Sequence, residues 1–138
     1  MPSIYKTALS VRVFGDDLDP DEISCLLGAV PTTSRRKGEV RKTPKGGEVI
    51  ARKGSWSLKA KDRSPGDLSA QIVDVLSRLT NDLSVWVALR KRYDCDVFCG
   101  IFMEEDNEGE MITDKAMAMM SERGLKLQLD IYARFRED

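Results

Sequence analysis

The chain has no histidine in 138 residues. That absence removes Ser–His and Cys–His nucleophile pairs, histidine general bases and histidine-ligated metals. Any catalysis would rest on carboxylates, lysine, tyrosine or cysteine alone. Cysteine is scarce too: Cys25, Cys95 and Cys99 are odd in number and too few for a secreted disulfide scaffold, so reduced, buried thiols are expected. No apolar run approaches the roughly 20 residues needed to cross a bilayer. Near the start, apolar residues alternate with Ser10 and Arg12 instead of forming the continuous core of a signal peptide. A soluble, cytoplasmic protein with no membrane contact is the expectation. No internal repeat or low-complexity tract is present.

An apolar share of 41% is enough for a core, and at this length one domain spanning 1–138 is the simplest organisation. The net charge of −1 conceals a segregation. Between 34 and 63 stand eleven basic residues (Arg35, Arg36, Lys37, Arg41, Lys42, Lys45, Arg52, Lys53, Lys59, Lys61, Arg63) against Glu39, Glu48 and Asp62, a net of +8, so the remainder carries −9. Such asymmetry concerns partners more than fold.

Residues 7–14, 55–59, 95–102 and 125–132 alternate apolar and polar side chains, the period of a strand with one buried face. Leu9, Val11, Val13, Trp56, Leu58, Cys95, Val97, Cys99, Ile101, Leu125, Leu127, Leu129 and Ile131 are predicted to point inward. Asp19-Pro20 opens a first helix with Glu22 at capping-box spacing; Ile23, Leu26 and Leu27 form its buried side and Gly28 stops it. Ser64-Pro65-Gly66-Asp67 reads as a second start, followed by apolar residues at helical spacing from Leu68 to Val87, with a break or restart at Thr80-Asn81. Thr113 is placed to cap a third helix ended by Gly124. The stretch at about 29–53 is a basic irregular loop, with a weak strand at 48–52 turning through Lys53-Gly54 into the next strand.

These elements predict an α+β two-layer sandwich: a four- to five-stranded, mostly antiparallel or mixed sheet with helices packed on one face. The uncovered face would carry Arg12, Phe14, Ser57, Phe98, Phe102, Gln128, Asp130 and Tyr132. Aromatic side chains on a face without helices are the best hint of a contact surface. Arg12, Phe14, Phe98, Phe102, Asp130 and Tyr132 are the open-face candidates, with Asp130 placed to pair Arg12 across the sheet.

Several motifs combine into a recognisable pattern. Arg12-Val13-Phe14-Gly15-Asp16-Asp17-Leu18-Asp19-Pro20 leads into Leu26-Leu27-Gly28; Pro31-Thr32, Arg36-Lys37-Gly38 and Gly54-Ser55-Trp56-Ser57-Leu58 follow. Arg92-Tyr93, Cys99-Gly100-Ile101 and Leu127-Gln128-Leu129-Asp130-Ile131-Tyr132 complete it. Over nearly its whole length the chain resembles the bacterial family catalogued as domain of unknown function 4279. The resemblance implies a stand-alone cytoplasmic domain and transfers no activity and no site residues. The basic insertion at 41–52 is longer than the usual pattern.

Other constellations have plainer explanations. Arg35, Arg36, Lys37, Arg41, Lys42 and Lys45 could bind the phosphates of nucleic acid or another anion, with Trp56 stacking on a base; a solvated loop paired with the chain's own acids is the competing account. The run 104–110 resembles the start of a calcium loop, but its twelfth position is Lys115 and no helix precedes it. Asp16, Asp17, Asp19 and Asp21 suit helix capping better than magnesium. Cys95 and Cys99, four apart on a strand, are about 13 Å apart, too far for a disulfide or shared metal, and read with Cys25 and Met117–Met120 as core filling. No catalytic residue, metal or cofactor is assigned. The expected function is a protein-interaction module using the open face, either self-associating as a homodimer or neutralising a toxin (immunity-type); the alternative is anion or nucleic-acid binding through 34–63.

Overall fold

A computed structural model describes residues 2–134. In chain order the elements are β1 (Lys6–Gly15), α1 (Pro20–Leu27), β2 (Thr33–Arg35), β3 (Val40–Lys42), β4 (Glu48–Ile50), β5 (Gly54–Lys59), α2 (Leu68–Ser77), α3 (Leu83–Arg92), β6 (Asp94–Phe102), α4 (Asp114–Glu122) and β7 (Lys126–Tyr132). Five strands form one mixed sheet in the order β2-β5-β1-β6-β7; β3 and β4 form a separate hairpin. All neighbours in the large sheet are antiparallel except β6 and β7, which the α4 crossover makes parallel. The predicted α+β sandwich with a mixed sheet is the observed architecture.

β1 sits at the centre, and its pleat sorts the two layers. Leu9, Val11 and Val13 are buried with Trp56 and Leu58 of β5 and Val97 and Cys99 of β6. The helices close this layer with Ile23, Leu27, Ile72, Val75, Leu76, Trp86 and Leu89. A polar clamp ties α2 to β1. Thr7 Oγ1 donates to Gln71 Oε1 at 2.7 Å, and Gln71 Nε2 donates to the Thr7 and Lys61 carbonyls at 3.0 and 2.9 Å. Both side chains are buried, so full hydrogen bonding is what makes their burial affordable.

The helix starts follow their capping chemistry, with three changes. Asp19 accepts from the Asp21 amide at 3.0 Å, and Gly28 closes α1 in the left-handed region at φ 77°. Glu22 completes no capping box; it takes Arg92 Nη1 at 2.6 Å instead. At α2 the cap is Asp67, whose carboxylate accepts from the Ala70 amide at 3.0 Å, while Ser64 Oγ donates to the Tyr5 carbonyl. The long apolar pattern from Leu68 to Val87 is two helices, and Asp82 rather than Asn81 caps the second.

Further expectations are corrected. Leu127, Leu129 and Ile131 stand on the helix side, beside Val97, Cys99 and Ile101, yet they are 39, 49 and 57% exposed. β7 is the sheet edge, and the helix layer does not reach over it. The segment 48–52 does not fold back on β5: β4 pairs with β3, and β5 takes β2 and β1. Trp56 is fully buried, donating from Nε1 to Ser24 Oγ at 3.0 Å, and is not available to a base. Cys25 is exposed and Leu26 is 38% exposed, because Ile23 and Leu27, four apart, define the inward side of α1 and turn both outward. Met117 is likewise 51% exposed, whereas Met120 is in the core.

The thiols separate cleanly on this basis. Burial, reinforced by neighbouring carboxylates, pushes the Cys95 and Cys99 thiols up to about 12, so they remain protonated at neutral pH. We predict that a thiol-specific reagent at pH 7–8 modifies Cys25 alone in the native protein and all three cysteines in denaturant. Native-state labelling at Cys95 or Cys99, read by mass spectrometry, would contradict this packing.

Candidate functional site

The face of the sheet away from the helices is organised in rows of directly opposed residues. One row runs Arg35–Ser55–Phe14–Asp94, the next Thr33–Ser57–Arg12–Asp96–Lys126, and further along lie Ser10–Phe98–Gln128, Ala8–Gly100–Asp130 and Lys6–Phe102–Tyr132. No helix covers it. Phe14, Phe98 and Phe102 are half-buried by their own neighbours, and Tyr132 is 49% exposed.

At the centre, Arg12 and Asp96 form a bidentate pair: Nε to Oδ1 at 2.8 Å and Nη2 to Oδ2 at 2.7 Å. The expected partner, Asp130, lies two strands away on β7 and instead accepts from the Tyr132 hydroxyl at 2.7 Å. Cross-strand register decides this, since Arg12 is directly opposite Asp96. Asp96 is the polar residue of β6 on the open face, and nothing local marks it as the partner of Arg12, because strand pairing is non-local. The guanidinium is also sandwiched between rings, 4.9 Å from the Phe14 centroid and 4.2 Å from that of Phe98. Its charge is thereby matched by a carboxylate in plane and by π-faces above and below.

On one side of this centre the β3–β4 hairpin arches towards the sheet. Its tip turns through Gly46 at φ 85°, with the Gly47 amide donating to Thr43 Oγ1 at 3.0 Å. Its base is tied by backbone bonds between Gly38 and Ala51 and between Ala51 and Glu39. The acidic turn before α1 anchors the same region: Arg36 bridges Asp19 and Asp21 at 2.8 and 3.5 Å, and Lys37 reaches Asp16 at 3.6 Å. Between hairpin and sheet lies a cavity of about 490 Å³ lined by Phe14, Thr33, Arg35, Arg41, Val49, Ile50, Ala51, Arg52, Lys53 and Ser55. No carboxylate is among them. Lys53 Nζ lies 5.0 Å from the Phe14 centroid.

The six anion-binding candidates therefore divide. Arg35 and Arg41 line the cavity. Arg36 and Lys37 are consumed by the chain's own aspartates, and Lys42 and Lys45 are on the hairpin outside the cavity lining. Arg52 and Lys53 belong to the basic segment 34–63 but not to the six candidates, and Thr33 and Val49 carry no charge to mark them. Only the hairpin's folding brings them to Phe14, and no local spacing encodes that meeting.

On the other side of Arg12 the face is aromatic. Phe102 and Tyr132 stack in parallel at 4.8 Å, Lys6 sits 5.2 Å from the Phe102 centroid, and Ala8 and Gly100 leave a slot of about 200 Å³ between this stack and Phe98. A side chain at Gly100 would press on Phe102, so the glycine keeps the slot floor clear. Hydrogen bonding to Asp130 raises the Tyr132 hydroxyl above its ordinary value, and the Lys126 ammonium holds the Asp94 carboxyl below its own.

The acidic loop 104–110 has a structural occupation. Glu108 accepts from the Tyr5, Glu104 and Glu105 amides, folding the loop back on the start of β1. No group of three or more potential metal ligands occurs among the described residues, and no described helix is long and apolar enough to cross a membrane.

The model of the family described as domain of unknown function DUF4279 matches residues 4–134, nearly the whole chain, and the protein belongs to that family. No curated protein and no solved structure matches it.

The central pair yields a stability prediction. Arg12→Ala would strand the Asp96 carboxylate, which is only 5% exposed, and should cost about 2–3 kcal/mol in chemical denaturation. Arg12→Lys loses the fork geometry and should recover part of that loss. A loss below 0.5 kcal/mol for Arg12→Ala, within the usual range of a bland surface change, would show that the pair does not secure the centre of the sheet.

Proposed function

We propose that the protein is a non-catalytic binding module that holds an anionic ligand in the basic cavity on its open sheet face. The observation that carries this reading is the convergence of Arg35, Arg41, Arg52 and Lys53 on one concavity. Among the described residues, none of the four forms an ion pair. Elsewhere this chain neutralises its cations readily, as Arg36, Lys37, Arg78 and Arg92 show. Asp94, bound to Lys126, is the acid whose charge Lys53 feels; the four cations still outnumber it and repel one another, and an incoming anion relieves that repulsion. Arginine forks suit phosphate or carboxylate oxygens, Thr33 and Ser55 add hydroxyl donors, and the Phe14 ring supplies an apolar floor.

The non-catalytic part rests on the state of the reactive groups. The carboxylates of the face are occupied: Asp96 by Arg12, Asp94 by Lys126 at 2.6 Å, and Asp130 by Tyr132. Cys95 and Cys99 are buried in the opposite layer. In the basic cavity the Thr33 and Ser55 hydroxyls form no hydrogen bond with Lys53 among the described residues, so neither is activated by a base.

A second reading, contact with a protein partner, draws on the aromatic half. The slot at Ala8 and Gly100 and the exposed Tyr132 suit an inserted apolar side chain. The two readings are separable by substitution. We expect salt-sensitive retention on a heparin column that falls sharply in the Arg35→Ala/Arg41→Ala/Arg52→Ala triple variant. Retention should largely persist in Lys42→Ala/Lys45→Ala, whose cations lie outside the cavity lining. Losing three phosphate contacts should weaken binding by at least about tenfold and flatten its dependence on salt. Equal retention of the native protein and the triple variant would defeat the anion reading. Binding of a protein partner lost in Tyr132→Ala but kept in the triple variant would favour the second.

A further inference from the structure

The large sheet ends in two unlike edges. β2, on one side, is three residues long. β7, on the other, runs for seven residues and pairs only with β6 among the described residues. A long edge strand offers its amides and carbonyls to any passing strand, and proteins usually guard such edges with short length, proline, bulges or inward-pointing charge. β7 has none of these on its helix-side face. It presents Leu127, Leu129 and Ile131, the three side chains the pleat marks for burial but no described helix covers.

We propose that β7 pairs antiparallel with β7 of a second copy, about a two-fold axis at Gln128, joining two five-stranded sheets into one. Such an axis, normal to the sheet, keeps the helices of both copies on the same side. Side-chain period then limits the choice of register. Slipping by one residue would set leucines of one copy against the polar row of the other, so only registers that oppose residues of like parity are admissible.

Charge selects among those. Centring on Gln128 opposes Lys126 to Asp130 of the second copy, twice by symmetry, and brings Leu127 against Leu129 in a shared apolar row. Centring on Asp130 would oppose that carboxylate to itself and Lys126 to Arg134. Centring on Leu129 leaves Lys126 and Asp130 facing Tyr132 and Gln128. Opposite charges directly across an antiparallel pair are favourable and like charges are not. The groups involved can accept the new partner. Lys126 donates one proton to Asp94, and its ammonium has two more; Asp130 takes the Tyr132 hydroxyl on Oδ2 and keeps Oδ1 for the lysine. The self-complementary order Lys–Leu–Gln–Leu–Asp is thus what selects a second copy as the occupant rather than an unrelated strand. This surface shares no residue with the basic cavity, so the two proposals stand or fall separately.

Sedimentation velocity on the full chain under reducing conditions, which remove any disulfide through exposed Cys25, tests the pairing. The mass should move from one chain to two as concentration rises to about 100 µM, where a micromolar Kd leaves most chains paired. Leu129→Lys and Asp130→Lys should each weaken association by about tenfold or more while leaving circular dichroism and melting intact, because both positions are at or near solvent. The swap Lys126→Asp/Asp130→Lys should restore association towards the native level. A native protein that stays monomeric throughout overturns the proposal. So does a dimer indifferent to Leu129→Lys, or a swap no better than Asp130→Lys alone.

Discussion

The Arg12–Asp96 pair is the constraint on which the working face of this protein depends. It joins the two central strands at a directly opposed position, β1 to β6, and does so on the side that has no helices. A carboxylate that is 5% exposed needs a fixed counter-charge, and the bidentate fork supplies one in a single geometry. Because Phe14 and Phe98 lie against the same guanidinium, the pair also sets where the aromatic rings stand. The basic cavity opens from the Phe14 side and the aromatic slot from the Phe98 side. One ion pair therefore partitions the sheet face into two halves of different chemistry.

The charge segregation visible along the chain acquires a physical meaning in this arrangement. The acids at 16–21 do not balance the basic segment as a whole. They take Arg36 and Lys37, at the root of the hairpin, and so hold the hairpin in place. The cations beyond that root, Arg41, Arg52 and Lys53, are left facing Arg35 and Phe14 with no acid in the lining. Ion pairs between exposed side chains are individually weak, yet several acting on one short segment, together with the Gly38–Ala51–Glu39 backbone bonds, orient it. Four of the six anion-binding candidates thus have structural or peripheral places, and Arg52 and Lys53 join Arg35 and Arg41 to supply the charge of the cavity.

The layers were legible from local pattern, and their limits show why. Strand period marks which face a residue joins, and Leu9, Val11, Trp56, Val97 and Leu127 all joined the face their spacing required. Whether that face is covered depends on where the helices end, which is a property of the whole layer. Leu127, Leu129 and Ile131 therefore had the correct side and the wrong environment. Helix starts were legible to within a few residues because capping is local; Asp19 and Thr113 cap as their spacing suggests. Strand partners were not, because pairing is non-local: β4 chose β3, and Arg12 chose Asp96 over Asp130.

The two ends of the sheet illustrate how one topology produces both features of interest. At the β2 end the chain leaves the sheet after three residues and returns through the hairpin, so that edge is short and the excursion roofs the cavity. At the β7 end, α4 crosses over on the helix side and delivers a strand parallel to β6 at the outer limit of the layer. A parallel crossover helix packs over the strands it connects, and α4 here packs chiefly against α2, further in. That inward placement strips cover from β7. The exposed leucines are accordingly a consequence of how α4 is seated, and any partner that completes this edge must bring the apolar surface that the helix layer of one chain does not extend far enough to provide.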